Sequence, residues 1–326
     1  MLEDFHKKIN SLTKIEKRIS ITFFSLLIFV FFFAYIKVPP SDFPLNTVVS
    51  IEKGESLQEI TNYLHSNKVI KFPLIFRSTV ILFGGERNVV AGDYLLDKKE
   101  GPFDLAYRLM KGKYNADTVK ITIPEGWNVY EIADYLSNNL KNFDKESFVE
   151  LAKDWEGYLF PDTYFIPDTA RPKTVINLMR ENFEEQIKTV GGLATSTKSL
   201  HEVITMASIL EGEANTTETR KVVSGILWKR ITAKMPLQVD ATFKYINGKG
   251  SFQLTYDDLK IDNPYNTYVY KGLPPGPIGN PGLDTINAAL NPKNSRYLYF
   301  LTGRDGKMYY GRTFEEHKKN KVLYLN

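Results

Sequence analysis

The longest apolar run in the chain extends from Ile19 to Ile36 and contains no charged residue, glycine or proline. Its 18 residues are at the short end of what crosses a lipid bilayer as a helix. A buried core helix would keep a polar stripe, whereas this run is apolar on every side. A cleaved signal peptide would need a shorter apolar core and a small-residue cleavage site, but Lys37, Val38 and two prolines follow. The pattern therefore predicts one uncleaved transmembrane helix over residues 19–36.

Charge is distributed unequally around this run. Five basic residues precede it, and only Lys37 follows it closely. Because positively charged flanks stay in the cytoplasm, residues 1–18 are predicted to form a cytoplasmic tail. The rest of the chain is then predicted to be periplasmic or extracytoplasmic, attached to the cell membrane by a single pass. Residues 37–45 contain three prolines, which favours a stiff linker beyond the membrane.

Beyond the linker, a faint repeat with an offset of 72 residues relates residues 51–64 to residues 123–136. Each copy has the pattern of a short strand, a turn at Gly54 or Gly126, and an amphipathic helix. Two unrelated strand–turn–helix units are the alternative. The pattern resembles LysM-type modules, which bind N-acetylglucosamine polymers, and it therefore predicts a LysM-like module at residues 46–115.

A longer domain follows at residues 116–326 and contains the second copy of the repeat at residues 120–140. Helical spacing and strand-like alternation both occur in it without regular βαβ order, which predicts the α+β class. Residues 263–282 are rich in glycine and proline and should form an irregular, sharply bent loop. Across the exported part, the predicted helices cover residues 103–111, 174–187, 200–210, 219–231 and 283–290, and the predicted strands cover residues 89–96, 297–302 and 307–311.

Composition narrows the classes of function. With 43% hydrophobic and 25% charged residues, the chain is typical of a globular protein, and a net charge of +4 is too small to indicate a nucleic-acid binder. Cysteine is absent, which excludes disulfides, thiolate nucleophiles and cysteine-bound metals. His201 and Glu202 begin like a zinc-binding helix, but Thr205 stands where the second histidine belongs. The sequence therefore predicts no metal and no cofactor.

One predicted helix carries a candidate acid at Glu211. This residue occupies the next position of an apolar stripe that runs along the helix. Glu211 is either a solvated residue where the stripe ends, or a half-buried acid whose charged form is disfavoured, as general acid catalysis requires. The stripe consists of Leu200, Val203, Ile204 and Ala207.

A second carboxylate for the same site is harder to find in the sequence. Glu213 lies about 200° further round the helix and so faces elsewhere. Glu218 shares a face with Glu211 only if the helix continues through Gly212, which loosens it. Most glycosidases use two carboxylates. A lone acid at Glu211 therefore requires a reaction whose nucleophile comes from the substrate.

Six motifs that occur together and in order give the chain a family resemblance. It resembles the endolytic murein transglycosylase (YceG-like) family over roughly residues 46–326. The motifs are G-Y-L-F-P-D-T-Y at residues 157–164, A-S-I-L-E-G-E-A at 207–214, L-Q-V-D at 237–240, Y-N-T-Y at 265–268, G-L-P-P-G-P-I at 272–278 and F-E-E-H at 314–317.

The resemblance implies cleavage of the MurNAc–GlcNAc bond within peptidoglycan strands, leaving 1,6-anhydro-MurNAc ends. This activity would end the elongation of nascent glycan strands. The catalytic glutamate of the family falls on Glu211. The chain departs from the family pattern at Gly212, where lysine is usual, and at Ala241, where proline often stands.

The resemblance also suggests which residues hold the sugars, although each of them could equally brace the loop. The candidates are Gln238, Asp240, Tyr265, Asn266 and Tyr268. The motif residues Tyr158, Asp162 and Tyr164 are expected to hold the domain together.

The expected partners are peptidoglycan strands, the membrane and peptidoglycan synthases of the elongation or division machinery. The alternative is a membrane-anchored scaffold that binds peptidoglycan without cleaving it. A carboxylate at Glu211 favours the enzyme, whereas a glutamine there would have favoured the scaffold.

Overall fold

The computed structural model describes residues 13–85, 88–115 and 117–325, and the chain divides into two compact units between Asp117 and Thr118. Both units combine helices with two-stranded antiparallel sheets, which confirms the predicted α+β class. We number helices and strands in chain order and leave out short 3₁₀ turns.

The first unit carries the apolar helix and the first copy of the repeat. Strands β1 and β2 pair antiparallel, with Val48 opposite Leu95 and Ile51 opposite Gly92. The elements are α1 (Lys14–Lys37), β1 (Val48–Ile51), α2 (Leu57–Ser66), α3 (Pro73–Phe83), β2 (Gly92–Leu95) and α4 (Pro102–Met110).

Helix α1 contains the whole predicted transmembrane run and begins earlier, at Lys14, after a capping box between Thr13 and Glu16. Among the described residues it is the one helix long and apolar enough to cross a bilayer, with a mean hydropathy of 2.5. The predicted cytoplasmic tail lies outside the described residues as far as residue 12.

The first unit folds around the apolar face of α2. Ser56 caps α2, and its partner in the capping box is Glu59. The predicted strand at residues 89–96 is shorter in the structure, where only Gly92–Leu95 pairs with β1. The largest fully buried side chains of this core are Tyr94, Phe76, Leu64, Ile70, Leu96, Leu105 and Leu109.

The second unit contains two adjoining cores. One lies between the β3–β4 pair and three helices, and the other surrounds α8. The elements are β3 (Thr118–Thr122), α5 (Val129–Asn139), α6 (Lys145–Ala152), β4 (Thr163–Pro167), α7 (Pro172–Ile187), α8 (Leu200–Glu213), α9 (Thr217–Thr232), α10 (Ala241–Asn247), α11 (Leu283–Leu290), β5 (Tyr299–Thr302), β6 (Met308–Gly311) and α12 (Phe314–Tyr324).

Most predicted elements of this unit are present. Helix α11 has the predicted bounds, β5 and β6 form the predicted hairpin with Gly306 in its turn, and residues 263–282 form a loop without helix or strand. Helix α8 is longer than predicted, because it continues through Gly212 to Glu213.

Helix α8 is the centre of the second unit. Every residue from Val203 to Leu210 is buried, so the helix is enclosed by α9, α10 and α11. A capping box between Ser199 and Glu202 fixes its beginning. Because the helix is enclosed in this way, the polar side chains of its last turn, Glu211 and Glu213, lie in the interior of the unit.

Candidate active site

Glu211 lies in the last turn of α8, and its side chain is only 6% exposed. Three donors bind its carboxylate. Arg220 Nη2 donates to Oε1 at 2.6 Å, while the Gly282 N–H at 2.9 Å and the Thr285 hydroxyl at 2.6 Å donate to Oε2. The contact with the guanidinium is a charge-assisted hydrogen bond. The site thus holds the carboxyl group of Glu211 in a fixed orientation.

Arg220 connects this carboxylate to its surroundings. From α9 it also donates through Nη1 to Asp284 at 2.6 Å and through Nε to the Ala214 carbonyl at 3.0 Å. A planar guanidinium can satisfy several acceptors in one fixed geometry. Arg220 therefore fixes the end of α8 relative to the beginning of α11.

A second carboxyl group, Glu125, lies next to Glu211 and was not found by the sequence analysis. A Cβ placed on Gly282 would be 1.8 Å from Glu125 Oε1, so this oxygen lies against the residue whose N–H binds Glu211. Glu125 immediately precedes Gly126 of the second repeat copy. A Cβ on Gly126 would be 3.0 Å from Glu211 Cγ.

The environment of Glu125 favours its protonated form. Partial burial raises the pKa of this carboxyl, and the negative charges of Glu211 and Asp284 raise it further, although Arg220 acts in the opposite direction. The site therefore combines a carboxylate held by three donors with a neighbouring carboxyl group that keeps its proton more readily than an ordinary glutamate.

Glu213 faces a different set of groups, as the helical geometry predicts. Its carboxylate lies near Asp240 and accepts a long hydrogen bond of 3.4 Å from the Ala241 N–H. Burial, and then the charge of Asp240, raises the pKa of Glu213 to about 7. Asp240 in turn accepts a hydrogen bond of 2.6 Å from the Tyr268 hydroxyl.

The two departures from the family pattern contact each other. A Cβ placed on Gly212 would be 2.8 Å from the Ala241 Cβ, which is closer than non-bonded carbon atoms approach each other. A larger residue at position 212 would therefore require the beginning of α10 to move.

Asn280, another residue that the sequence analysis missed, joins its own loop to the turn at Gly126 and to the segment of residues 156–159. It is fully buried, its Oδ1 accepts from the Leu159 N–H at 2.9 Å, and its Nδ2 donates to the Trp127 carbonyl and to Glu156, both at 3.0 Å. The Asn280 carbonyl also accepts from the Gly126 N–H at 2.7 Å. This network holds the irregular loop against the turn at Gly126.

The residues predicted to hold sugars do not form one cluster around Glu211. Gln238 is exposed in a left-handed backbone conformation with φ of 50°, and Asp240 and Tyr268 bind each other. Asn266 is fully buried. Its Nδ2 donates to the carbonyls of Leu259 and Ile261, and its Oδ1 accepts from the Tyr268 N–H. These contacts all lie within the protein and favour a bracing role for Asn266.

Tyr265 belongs to a row of three aromatic rings. Its ring centroid lies 4.8 Å from that of Tyr245, which lies 6.5 Å from that of Tyr130. Tyr130 is on α5, which follows Gly126, and Tyr245 is on α10, which begins at Ala241. The row thus joins α5, which follows the turn at Gly126, to α10, whose first residue contacts the last turn of α8.

The remaining motif residues make contacts within the second unit. Tyr164 donates to the Phe160 carbonyl at 2.5 Å, and Asp162 accepts from Asn182 at 3.0 Å. Tyr158 lies within 3.2 Å of His201 Nδ1, and Nε2 of this histidine lies 2.9 Å from the Pro275 carbonyl oxygen. His201 thus ties the loop to the beginning of α8.

Among residues 13–85, 88–115 and 117–325, no three or more His, Asp or Glu side chains come together in a way that could hold a metal ion.

Sequence comparison assigns the chain to a family. The YceG-like family matches residues 49–322, and the chain belongs to this family. It is 33% identical to the endolytic murein transglycosylase of Bacillus subtilis (strain 168), with 85% of this chain and 84% of that protein covered. It is 29% identical to the endolytic murein transglycosylase of Streptococcus pneumoniae serotype 2 (strain D39), covering 94% of this chain and 64% of that protein.

A solved structure has a similar fold. The crystal structure of a putative YceG-like protein from Listeria monocytogenes superposes with a TM-score of 0.56 at 32% sequence identity. The match covers 84% of this chain and 98% of that one.

Proposed function

We propose that the chain is a membrane-anchored lytic transglycosylase that cleaves the MurNAc–GlcNAc bond within peptidoglycan strands. Family membership and the names of the relatives support a peptidoglycan-cleaving activity. The observation that carries the proposal is the carboxylate of Glu211, held by three donors in the last turn of an enclosed helix. Such fixed orientation is what a general acid or base needs.

In the proposed reaction, Glu211 donates a proton to the glycosidic oxygen as an oxocarbenium-like state develops. As a carboxylate it then accepts the proton of the C6 hydroxyl, whose oxygen bonds to C1 and closes the 1,6-anhydro ring. The hydroxyl belongs to the substrate and gains from effective molarity. Glu125 stands beside Glu211 as the group from which the proton can be supplied, because its pKa is raised.

The substrate surface in this proposal is the aromatic row of Tyr130, Tyr245 and Tyr265. Flat rings with polar edges suit sugar rings, and Tyr130 is 52% exposed. Asp240, Tyr268 and Gln238 are the polar candidates. We also propose that the first unit is a LysM-like module that binds glycan strands, and that peptidoglycan synthases are partners.

The proposed topology places the N-terminus in the cytoplasm and both units outside the cell membrane. It rests on the length and hydropathy of α1 and on the basic residues before the apolar run. A reporter fused after Asn326 should behave as extracytoplasmic. Cytoplasmic reporter activity would refute the topology.

Product analysis tests the activity. The full chain, incubated with purified sacculi, should release muropeptides that end in 1,6-anhydro-MurNAc, which mass spectrometry identifies by the loss of one water relative to a reducing end. Release of reducing ends would make the enzyme a hydrolase, with a second carboxyl group activating water. Binding to sacculi without any release would support a non-catalytic scaffold.

The strongest single prediction concerns Glu211. Glu211→Gln keeps the size of the side chain but cannot cycle a proton, so product release should fall by about 10²–10⁴-fold. The matched control is Glu213→Gln, which alters a carboxyl group that faces Asp240 and should have a much milder effect. Circular dichroism should report a native fold for both variants. Loss of turnover in Glu213→Gln together with activity in Glu211→Gln would transfer the site to the other face of α8.

A further inference from the structure

The C-terminal end of the apolar helix α1 packs directly against the rest of the first unit. The ring of Phe33 lies 5.8 Å from that of Phe103, and the ring of Tyr35 lies 5.6 Å from that of Phe72. The Lys37 carbonyl is so close to Gly101 that a Cβ there would be 2.3 Å from its oxygen. The helix therefore passes into the folded unit without a free spacer.

These contacts set the depth of the first unit relative to a membrane. Phe33 belongs to the apolar run and lies only about 4–5 Å before its end at Ile36, since a helix rises 1.5 Å per residue. A ring in contact with Phe33 must therefore lie near the edge of the hydrocarbon region. Phe103 is that ring, and it stands at the beginning of α4.

Helix α3 presents an apolar stripe to the outside of the same unit. Leu74 is 76% exposed, Ile81 is 47% exposed and Leu82 is 82% exposed. Their spacing of i, i+7 and i+8 places them on one face, with Ser78 between Leu74 and Leu82. The opposite face of α3, including Phe76 and Val80, is buried in the core. Exposed apolar side chains that are grouped on one face are typical of an interaction surface.

The helix that carries the stripe begins next to the contact with α1. Helix α3 begins directly after Phe72, whose ring contacts Tyr35. On the neighbouring helix α4, Tyr107 is 48% exposed and follows Phe103 by one turn. The ammonium group of Lys71 lies 3.9 Å from the centre of the Tyr35 ring, in the last turn of α1.

We infer that the first unit rests on the bilayer, with Leu74, Ile81 and Leu82 of α3 inserted into the interfacial region of the outer leaflet. Helices that lie in this region bury their apolar face about 5–10 Å into the boundary between headgroups and acyl chains. This inference rests on the proposed membrane anchor. It goes beyond the anchor because it makes the folded unit itself a lipid-binding surface.

The absence of cysteine allows a direct test with the full chain. Ser78→Cys, labelled with an environment-sensitive fluorophore, reports from the middle of the stripe. The labelled chain is inserted into vesicles of equal parts phosphatidylcholine and phosphatidylglycerol, some of which carry bromine on the acyl chains. We expect bromine to quench the emission. The double substitution Leu74→Glu and Leu82→Glu should abolish the quenching, whereas Val322→Glu with Leu323→Glu, two exposed apolar positions on α12, should not.

Alkaline carbonate extraction separates failure of the inference from failure of the anchor. A chain that resists extraction but whose reporter is not quenched keeps the anchor and overturns the lipid-facing stripe. A chain that extraction releases from the vesicles overturns both. Blue-shifted emission without bromine quenching would mean that protein covers the stripe, and it would also overturn the inference. Circular dichroism of both double variants checks that the charged substitutions leave the fold intact.

Discussion

Two turns of the same local design lie in different surroundings in this molecule. Gly54 has φ of 91° and Gly126 has φ of 81°, and each follows a short strand and precedes a helix with a capping box. A Cβ added to Gly54 would meet nothing within 4 Å. A Cβ added to Gly126 would meet Glu211 at 3.0 Å.

The difference in the space around the two glycines shows that one kind of strand–turn–helix unit can occupy an open position or a closely packed one. The turn at Gly54 needs glycine only for its backbone conformation, because its outer side is open. The turn at Gly126 also needs glycine for space, and the Gly126 carbonyl lies so close to Gly279 that a Cβ there would be 2.5 Å away. Sequence similarity between the copies therefore records a common local fold, while the packing around each copy determines its role.

The largest expected effect is a loss of activity that distinguishes Gly126 from Gly54. Gly54→Ala and Gly126→Ala should both destabilise the chain by about 1–2 kcal/mol, because alanine is strained at these positive φ angles. Only Gly126→Ala also displaces Glu211, and a misplacement of about 1 Å can reduce turnover by about 10²-fold. Urea unfolding and product release from sacculi measure the two effects separately. Equal activity of the two variants would contradict the contact between this turn and the site.

A second prediction compares the residues that precede the two glycines. Glu125→Gln removes the neighbouring carboxyl group, whose raised pKa lets it keep a proton beside Glu211, so the proposed proton supply is lost. The loss of activity at alkaline pH should then begin at a lower pH than in the unchanged enzyme. Lys53→Gln, at the aligned position of the first copy, is the control and should leave the pH profile unchanged. The pH dependence of product release gives the answer, and identical profiles for all three proteins would exclude Glu125 from the site.

The smallest expected effect concerns the helix caps. Ser56 accepts one backbone N–H of α2, whereas Asn128 accepts two N–H groups of α5 and is only 5% exposed. Ser56→Ala should therefore cost about 1 kcal/mol and Asn128→Ala up to about 2 kcal/mol. Urea midpoints measure both. If Ser56→Ala loses more unfolding free energy than Asn128→Ala, the first copy of the repeat depends more on its helix cap than the second copy does.

Local periodicity was sufficient to predict several helices and one hairpin of the fold. The apolar run at residues 19–36, the helix at residues 283–290 and the hairpin at residues 297–311 follow from spacing and turn residues alone. Helix α3 was missed because apolar residues occur on both of its faces, which hides the helical period. Strand β4 was missed because its partner β3 lies about 40 residues earlier in the chain.

The site was predictable only in part for the same reason. The position of Glu211 could be derived from the stripe on its own helix. The donors Arg220, Gly282 and Thr285 reach it through tertiary contacts that no local pattern records. The glycine turn at Gly126 could be predicted, because the same turn occurs at Gly54 in the first copy of the repeat. The sequence could not show that the second copy packs against an acid.

The origin of the donors has a consequence for how the protein is made. Thr285 lies 74 residues after Glu211 in the chain, and Gly282 lies 71 residues after it. Because synthesis proceeds from the N-terminus, a chain that stops before residue 282 already has the apolar helix, the first unit and Glu211. It lacks two of the three groups that hold the carboxylate. Incomplete or C-terminally clipped copies would therefore lack two of the contacts that orient Glu211, and we expect such copies of the proposed enzyme to be inactive.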